Sequence, residues 1–343
     1  MFSIDKENES VIVTGGTGFL GRHVCAELKS RGYKKIRVIT QKNSPSKQKW
    51  ADSNEFGLEV YDLRYSINTQ HLLEFGSAVH KNKAIINLAA SVGGIGANQV
   101  KSADFMLDTM LIGSNLVRSV LEYGKKHETC KLIQIGTVCA YPKYAPIPFK
   151  EEDIWNGYPE ETNAAYGIAK KTVMELVRQT NLQYPNNFNG INIIPVNLYG
   201  PGDNFDLESS HVIPALIRKF VAAAENKSNE VKLWGTGTAS REFLYVKDAA
   251  FAIVNAMEKY NGNEFINIGT GDEVTIAYLA ELLKAMTKFK GKIVFDPSRP
   301  DGQPRRCLYV EKAKAAFDFT AKTNLAQGLR ETINWYKNEW HME

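Results

Sequence analysis

The chain has 343 residues, 43% of them hydrophobic and 23% charged, with a formal net charge of +4. This is ordinary globular composition, long enough for one large or two modest domains with a sizeable core. No Lys/Arg block would track a phosphate backbone and no apolar run approaches a membrane span, so neither nucleic acid nor a membrane is expected as a partner. The first ten residues are polar, without an apolar signal core, and Cys25, Cys130, Cys139 and Cys307 have no metal-like spacing. A reduced, cytoplasmic protein with no metal is the expectation.

Val11 to Thr14 is a short β-branched run, followed by Gly15-Gly-Thr17-Gly18-Phe19-Leu20-Gly21 and a helical pattern through Leu28. Strand, Gly-x-x-Gly-x-x-Gly, helix is the context of a dinucleotide fingerprint. Gly15 permits the tight turn, Gly18 a close approach to the pyrophosphate, and Gly21 close helix–strand packing. The helix start, Thr17 to Leu20, offers its N–H groups to the phosphates. The second strand, Lys35 to Thr40, ends in Gln41-Lys42-Asn43-Ser44, where an NAD site carries an acid for the ribose 2′-hydroxyl. No acid is present, and the donors and positive charge suit a 2′-phosphate, so NADP(H) is the expected cofactor. Arg22 and Lys47 could contribute to the same site, although each reads first as a solvated surface cation.

Leu58 to Leu63 reads as a strand whose end, Asp62-Leu63, lies along the adenine, with a helix around Gln70 to Val79. Ala84 to Ala90 is a buried strand whose end (Leu88, Ala89, Ala90) leaves room for cofactor. The loop from Val92 to Asn98 is expected to close over a sugar. Helices from about 103 to 123 and 165 to 182 flank a strand at Lys131–Ile135, and Ile191 to Asn197 is a sixth strand. This alternation means a Rossmann-like, doubly wound parallel sheet in an α/β protein.

The catalytic strand delivers Thr137 and Cys139 to its carboxyl end, where open α/β sheets place ligands. Tyr166 and Lys170 lie four apart on one helical face. A phenol beside an ammonium can hold its proton ready for transfer, since the cation favours the phenolate. After Asn197 a smaller, interleaved α/β portion for the substrate is expected. The division runs at 1–200 plus about 240–265 for the dinucleotide, and about 201–239 plus 266–343 for the substrate. Pro300 to Arg306 reads as an exposed basic loop.

These residues resemble the extended short-chain dehydrogenase/reductase family, and within it the GDP-L-fucose synthases. The match runs through nearly the whole chain: the glycines, Val92-Gly-Gly-Ile, Cys139-Ala-Tyr-Pro, Tyr166-Gly-Ile-Ala-Lys170, Asn197-Leu-Tyr-Gly-Pro, Asp203-Asn-Phe, Ser210-His211-Val-Ile-Pro, Trp234-Gly-Thr-Gly, Arg241-Glu-Phe and Pro300-Asp-Gly. The resemblance implies NADPH-dependent conversion of GDP-4-keto-6-deoxy-D-mannose to GDP-L-fucose. It implies Cys139 as thiolate base and His211 as acid in epimerisation at C3 and C5. Thr137 and Tyr166 would bind the C4 oxygen, with Tyr166 giving the final proton and Lys170 lowering its pKa. Tyr166, Lys170 and His211 would also border the cofactor. Val92, Asn197, Lys219, Trp234, Arg241, Asp301 and Arg305 (or Arg306) would hold the GDP-sugar. Relatives pair as homodimers through the two helices flanking the catalytic strand.

On residue type alone Cys139 reads as a small buried hydrophobe, His211 as a helix cap and Trp234 as core. The remaining cysteines and His23, His71, His80, His127 and His341 read as packing or solvated groups. One departure from the family is Thr137, followed by Val138, where Ser is usual; it keeps the hydroxyl and adds a methyl. The alternatives are a redox-neutral GDP-sugar epimerase, which would retain NAD, a 4-ketoreductase on a related nucleotide sugar, and a non-catalytic NADP-binding sensor. The missing acid argues against the first alternative and the intact Thr/Tyr/Lys set against the sensor.

Overall fold

The computed structural model describes residues 2–77, 81–91, 100–299 and 301–340. The first half alternates β1 (Glu9–Thr14), α1 (Phe19–Ser30), β2 (Lys35–Thr40), α2 (Pro45–Ser53), β3 (Gly57–Val60), α3 (Ser66–Ser77), β4 (Lys81–Asn87), α4 (Ser102–Lys126), β5 (Lys131–Ile135), α5 (Ala164–Gln183) and β6 (Asn189–Pro195). Then come β7 (Asn197–Tyr199), α6 (Val212–Glu225), β8 (Glu230–Trp234), β9 (Ser240–Tyr245), α7 (Val246–Lys259) and β10 (Phe265–Ile268). The chain continues through β11 (Glu273–Thr275), α8 (Ile276–Thr287), β12 (Lys292–Asp296), α9 (Glu311–Phe317) and α10 (Leu325–Glu339).

Seven parallel strands form the main sheet in the order β10-β6-β5-β4-β1-β2-β3. This is the doubly wound Rossmann architecture the alternation predicts. The Val/Ile runs suit strands covered on both faces. Val11 and Val13 join the core on one face with α1 and α7, and Ile12 joins the core on the other with α3 and α4. The order reverses between β1 and β4, which opens the ligand crevice at their carboxyl ends.

Two expectations shift. The sixth strand stops at Pro195, which has no N–H to continue the ladder, and Asn197–Tyr199 passes into a separate sheet, β11-β9-β7. Residues 265–268, expected with the smaller portion from 266 on, are the edge strand beside β6, and Phe317 and Phe319 join the sheet's core. A further core gathers Phe205, Ile217, Phe220, Leu283 and Tyr336 under α6, α8 and α10.

The stretch expected to be an exposed basic loop is exposed at Pro304 and Arg305 but buried at Gln303 and Arg306, and it continues as a buried strap through Cys307 and Leu308. Ser240 N donates to Pro304 O (3.0 Å) and Glu242 N to Arg306 O (3.0 Å) on one side. On the other, Phe149 N donates to Cys307 O (2.8 Å) and Tyr309 N to Phe149 O (2.9 Å). With backbone partners on both edges the strap is pulled inside. Pro300 lies outside the described residues. The fully buried Glu242 anchors the arrangement: its carboxylate accepts from Thr270 N (2.5 Å), Gly271 N (2.9 Å) and Leu308 N (2.6 Å).

Glu242→Gln sets an NH2 donor against an N–H donor at one of these contacts. The expected cost is about 2–4 kcal/mol, read as a lower urea midpoint at constant slope. An unchanged midpoint would show that the carboxylate does not hold the strap.

Candidate active site

The glycine turn leads from β1 into α1. Gly15 has φ +65°, and a Cβ there would lie 3.1 Å from Ala89 N and Leu88 C. A Cβ on Gly21 would overlap the Gly15 carbonyl oxygen, so α1 can sit this close only without one. Gly18 is the N-cap and supplies no side-chain acceptor, so Thr17, Phe19 and Leu20 border a helix start whose N–H groups stay open to an anion. Across the crevice, Thr14 Oγ1 donates to Asn87 Oδ1 (2.7 Å) and accepts from Ala89 N (3.3 Å). Asn87 Nδ2 in turn donates to Gln134 Oε1 (2.8 Å). This polar ladder ties the ends of β1, β4 and β5 and fixes Leu88, Ala89 and the following Ala90 opposite Gly15.

At the end of β2, Gln41 Nε2 donates to Asp62 Oδ2 (3.2 Å). Arg64 grips the same carboxylate and pulls its pKa down to about 2, so Asp62 stays anionic. Leu63 is buried beside it, and Lys42 is exposed.

After β5, Thr137 accepts from Cys139 N (3.2 Å) and caps the turn Val138–Ala140. Its own O–H remains to donate. Gly167 lets α5 press onto this turn, since a Cβ there would overlap Cys139 O. That contact brings Tyr166 beside Cys139. Burial, with the thiol adding to it, pushes the Tyr166 phenol above its ordinary range and keeps it protonated. Lys170 is buried, donates to Ile135 O (2.9 Å), and is pulled down to about 8 by burial. Its Nζ lies 5.9 Å from the Tyr166 ring centre. Burial is the main influence on Tyr166 here, and the Lys170 ammonium is aimed at the Ile135 carbonyl. A small pocket lined by Ser102, Phe105 and Asn163 opens onto Tyr166.

Arg306, only 7% exposed, reaches this point from the strap. Its Nη1 donates to Cys139 Sγ (3.7 Å) and Asn197 Oδ1 (3.2 Å), while Nε and Nη2 donate to Gln303 Oε1 (3.2 and 3.1 Å). Gln303 hangs from the Pro142 and Lys143 carbonyls (3.3 and 3.2 Å). His211 stands at the N-cap of α6, open to solvent but deep in the cleft. Surrounding protein and the Arg306 charge hold it below its usual pKa, favouring the neutral ring. Arg241 donates to Ser240 O (2.7 Å) and Asp301 O (3.0 Å), and burial and Arg306 draw its pKa down to about 10.

The other substrate candidates are each held by their own partners. Asn197 Nδ2 donates to Glu242 O (2.9 Å). Lys219 Nζ donates to Lys232 O (3.1 Å), with its pKa lowered by burial. Asp301 accepts from Thr236 N and Oγ1, both at 2.8 Å. Trp234 is 56% exposed with Arg299 over its ring, which corrects its reading as core. Arg305 is exposed and ion-paired with Glu273, apart from the Cys139 cluster. Val92, with the loop through Asn98, and His80 and His341 lie outside the described residues. Among the described residues no group of His, Cys, Asp and Glu could hold a metal, and no helix is long and apolar enough to cross a membrane.

The sequence reading left Arg305 and Arg306 undivided and missed Gln303. Alternation along an extended strap sends neighbouring side chains to opposite faces, so only one of the two arginines can face the cleft.

The model of the NAD dependent epimerase/dehydratase family matches residues 11–269. A protein of Oryza sativa subsp. japonica described as probable GDP-L-fucose synthase 1 is 37% identical over 335 residues, covering 98% of this chain and 94% of its own length. The GDP-L-fucose synthase of Escherichia coli is 33% identical, with 96% of each chain covered. The crystal structure of a GDP-L-fucose synthetase from Naegleria fowleri bound to NADP aligns with TM-score 0.79 and 26% identity, covering 98% of this chain and 96% of that one.

Lys170 should titrate near pH 8 in the folded protein, against 10.5 for a free side chain. The unfolded chain then binds more protons between those values, so this residue makes stability rise with pH across that window. Lys170→Met should flatten the rise in pH-resolved urea unfolding. An identical slope in both proteins would place the Lys170 pKa at its ordinary value.

Proposed function

The chain belongs to the NAD dependent epimerase/dehydratase family, and from that premise we propose that it is an NADP(H)-dependent epimerase-reductase converting GDP-4-keto-6-deoxy-D-mannose to GDP-L-fucose. The relatives described as GDP-L-fucose synthases, similar over nearly the whole chain, support this reading. The observation that carries it is the sharing of one cleft. Arg306 touches Cys139 on the turn that Thr137 caps and that the helix of Tyr166 and Lys170 packs against, and its charge also acts on His211. Cys139 and His211 suit proton exchange at carbon, and Thr137, Tyr166 and Lys170 suit carbonyl reduction.

A 4-keto group acidifies the C–H bonds at C3 and C5. Cys139 as thiolate takes a proton, and His211, having first taken one up from solvent, returns one from the opposite face. The Thr137 and Tyr166 hydroxyls donate to the C4 oxygen and stabilise the enolate formed each time. Tyr166 then gives its proton to that oxygen during reduction, which its raised pKa leaves it ready to do. Lys170, held by the Ile135 carbonyl, would bind the nicotinamide ribose when the cofactor is present.

The crevice residues fit the cofactor. The space a Cβ on Gly15 or Gly21 would fill, the open N–H groups after Gly18 and a β2 end, Thr40 to Ser44, that itself carries no acidic residue suit a 2′-phosphorylated dinucleotide. When bound, NADPH supplies the hydride for C4. Asp62 and Leu63 would border the adenine, and Leu88, Ala89, Ala90 and His211 the remaining length. Asn197, Lys219, Trp234, Arg241, Asp301 and Arg306 would hold the GDP-sugar, the cations facing the diphosphate. We assign 1–200 and about 240–268 to the dinucleotide, and the intervening and following residues mainly to the sugar nucleotide. Exposed Leu107 on α4 and Leu176 and Leu182 on α5 support a homodimer through these helices, and four free cysteines support a cytoplasmic setting.

Purified protein given GDP-4-keto-6-deoxy-D-mannose should consume NADPH and yield GDP-L-fucose by NMR. Tyr166→Phe should lower that rate by about 10²–10⁴-fold. Turnover equal to the unaltered protein would refute the proton-donor assignment, and no NADPH consumption by the unaltered protein would refute the reductase reading.

A further inference from the structure

Arg22 and Lys47, which read as surface cations in the sequence, are both half-buried and held in place. Arg22 Nε donates to Thr17 O (3.1 Å), and its guanidinium lies over the Trp50 ring at 5.2 Å. Trp50 is itself packed against Phe56, ring centres 5.3 Å apart. Lys47 Nζ donates to Thr40 Oγ1 (3.1 Å) and Lys42 O (2.8 Å). The Thr17 and Thr40 hydroxyls bond to each other at 3.2 Å, so the anchors of the two cations touch. Arg22 from α1 and Lys47 from α2 are thus anchored on neighbouring threonines, Thr17 and Thr40, at the carboxyl end of β2.

Charge gives an independent indication. Among the described residues, no carboxylate lies within ion-pair distance of Arg22, Lys42 or Lys47. By contrast, Arg31 and Arg64 each have two and Arg37 has one. Two anchored cations without a counter-charge favour a nearby anion, and a dianion could satisfy both. With Nε committed to Thr17 O, the Nη groups of Arg22 remain for an oxyanion, and stacking on Trp50 has already ordered the side chain.

Resting on the NADP(H) reading above, we propose that Arg22, with Lys47, clamps the 2′-phosphate of the cofactor and sets the preference for NADP(H) over NAD(H). The strand-end residues Gln41 and Lys42 then play the lesser part: Gln41 is turned to Asp62, and Lys42 contributes its carbonyl to hold Lys47.

The test is calorimetric titration with 2′,5′-ADP and 5′-AMP, which needs no turnover. The unaltered protein should bind 2′,5′-ADP more tightly. Arg22→Met should cut the affinity ratio by about tenfold or more, Arg22→Lys by less, and Lys47→Met by a few-fold. A folded Arg22→Met protein that keeps the unaltered ratio overturns the proposal. If that variant does not fold, an unchanged ratio in Lys47→Met overturns the paired clamp. Equal binding of both nucleotides by the unaltered protein overturns the NADP(H) reading, and the clamp with it.

Discussion

The Arg306 guanidinium is the contact around which the cleft is built. It is a buried cation met by a sulfur and two amide oxygens, and among the described residues by no carboxylate. Taking such a charge out of water is costly unless its donors are satisfied and its field is used. Gln303 takes two of its donors, and Asn197 and Cys139 share the third. The arrangement joins the strap, the start of β7 and the turn after β5, so displacing any one would disturb the others. Its charge is left facing a cleft into which an anionic sugar nucleotide would enter.

The glycines and the buried Glu242 set the distances on either side of that contact. Gly15 and Gly21 allow α1 to meet β1 and β4 without a side chain between them, which leaves a channel for a dinucleotide. Gly167 does the same for α5 against the Cys139 turn. Glu242 draws residue 308 toward β9, and Arg306 follows. The parallel sheet brings the ends of β1, β4 and β5 to one edge, and the smaller sheet and strap close over it. Proton exchange at carbon and reduction at the carbonyl can then share one oxygen-binding pair, Thr137 and Tyr166.

Local signals in the sequence were enough for the sheet and much of this site. The Val/Ile runs, the glycine turn and the four-residue spacing of Tyr166 and Lys170 each depend on short stretches. The helix α2 was not read from the sequence, although its signal was also local: Ser44 before Pro45, with Ser44 Oγ accepting from Lys47 N. Other features depend on partners distant in sequence. Whether Arg305 or Arg306 turns inward follows from the strap docking on β9 and Phe149. Trp234 is exposed because it ends an outer two-stranded sheet with β12. Arg22 is fixed by a tryptophan 28 positions away that only the turn through α2 brings beneath it. The pKa of Tyr166 depends on burial, which the Tyr-x-x-x-Lys spacing does not encode.

The central claim is that one cleft performs two separable reactions. The most direct test is solvent-deuterium uptake by the Cys139→Ala protein given the 4-keto sugar nucleotide and NADPH in D2O. The account predicts a 4-reduced sugar with no deuterium at C3 or C5, since the reducing group is intact and the carbon base is gone. Deuterium at those carbons at the unaltered protein's rate would contradict it.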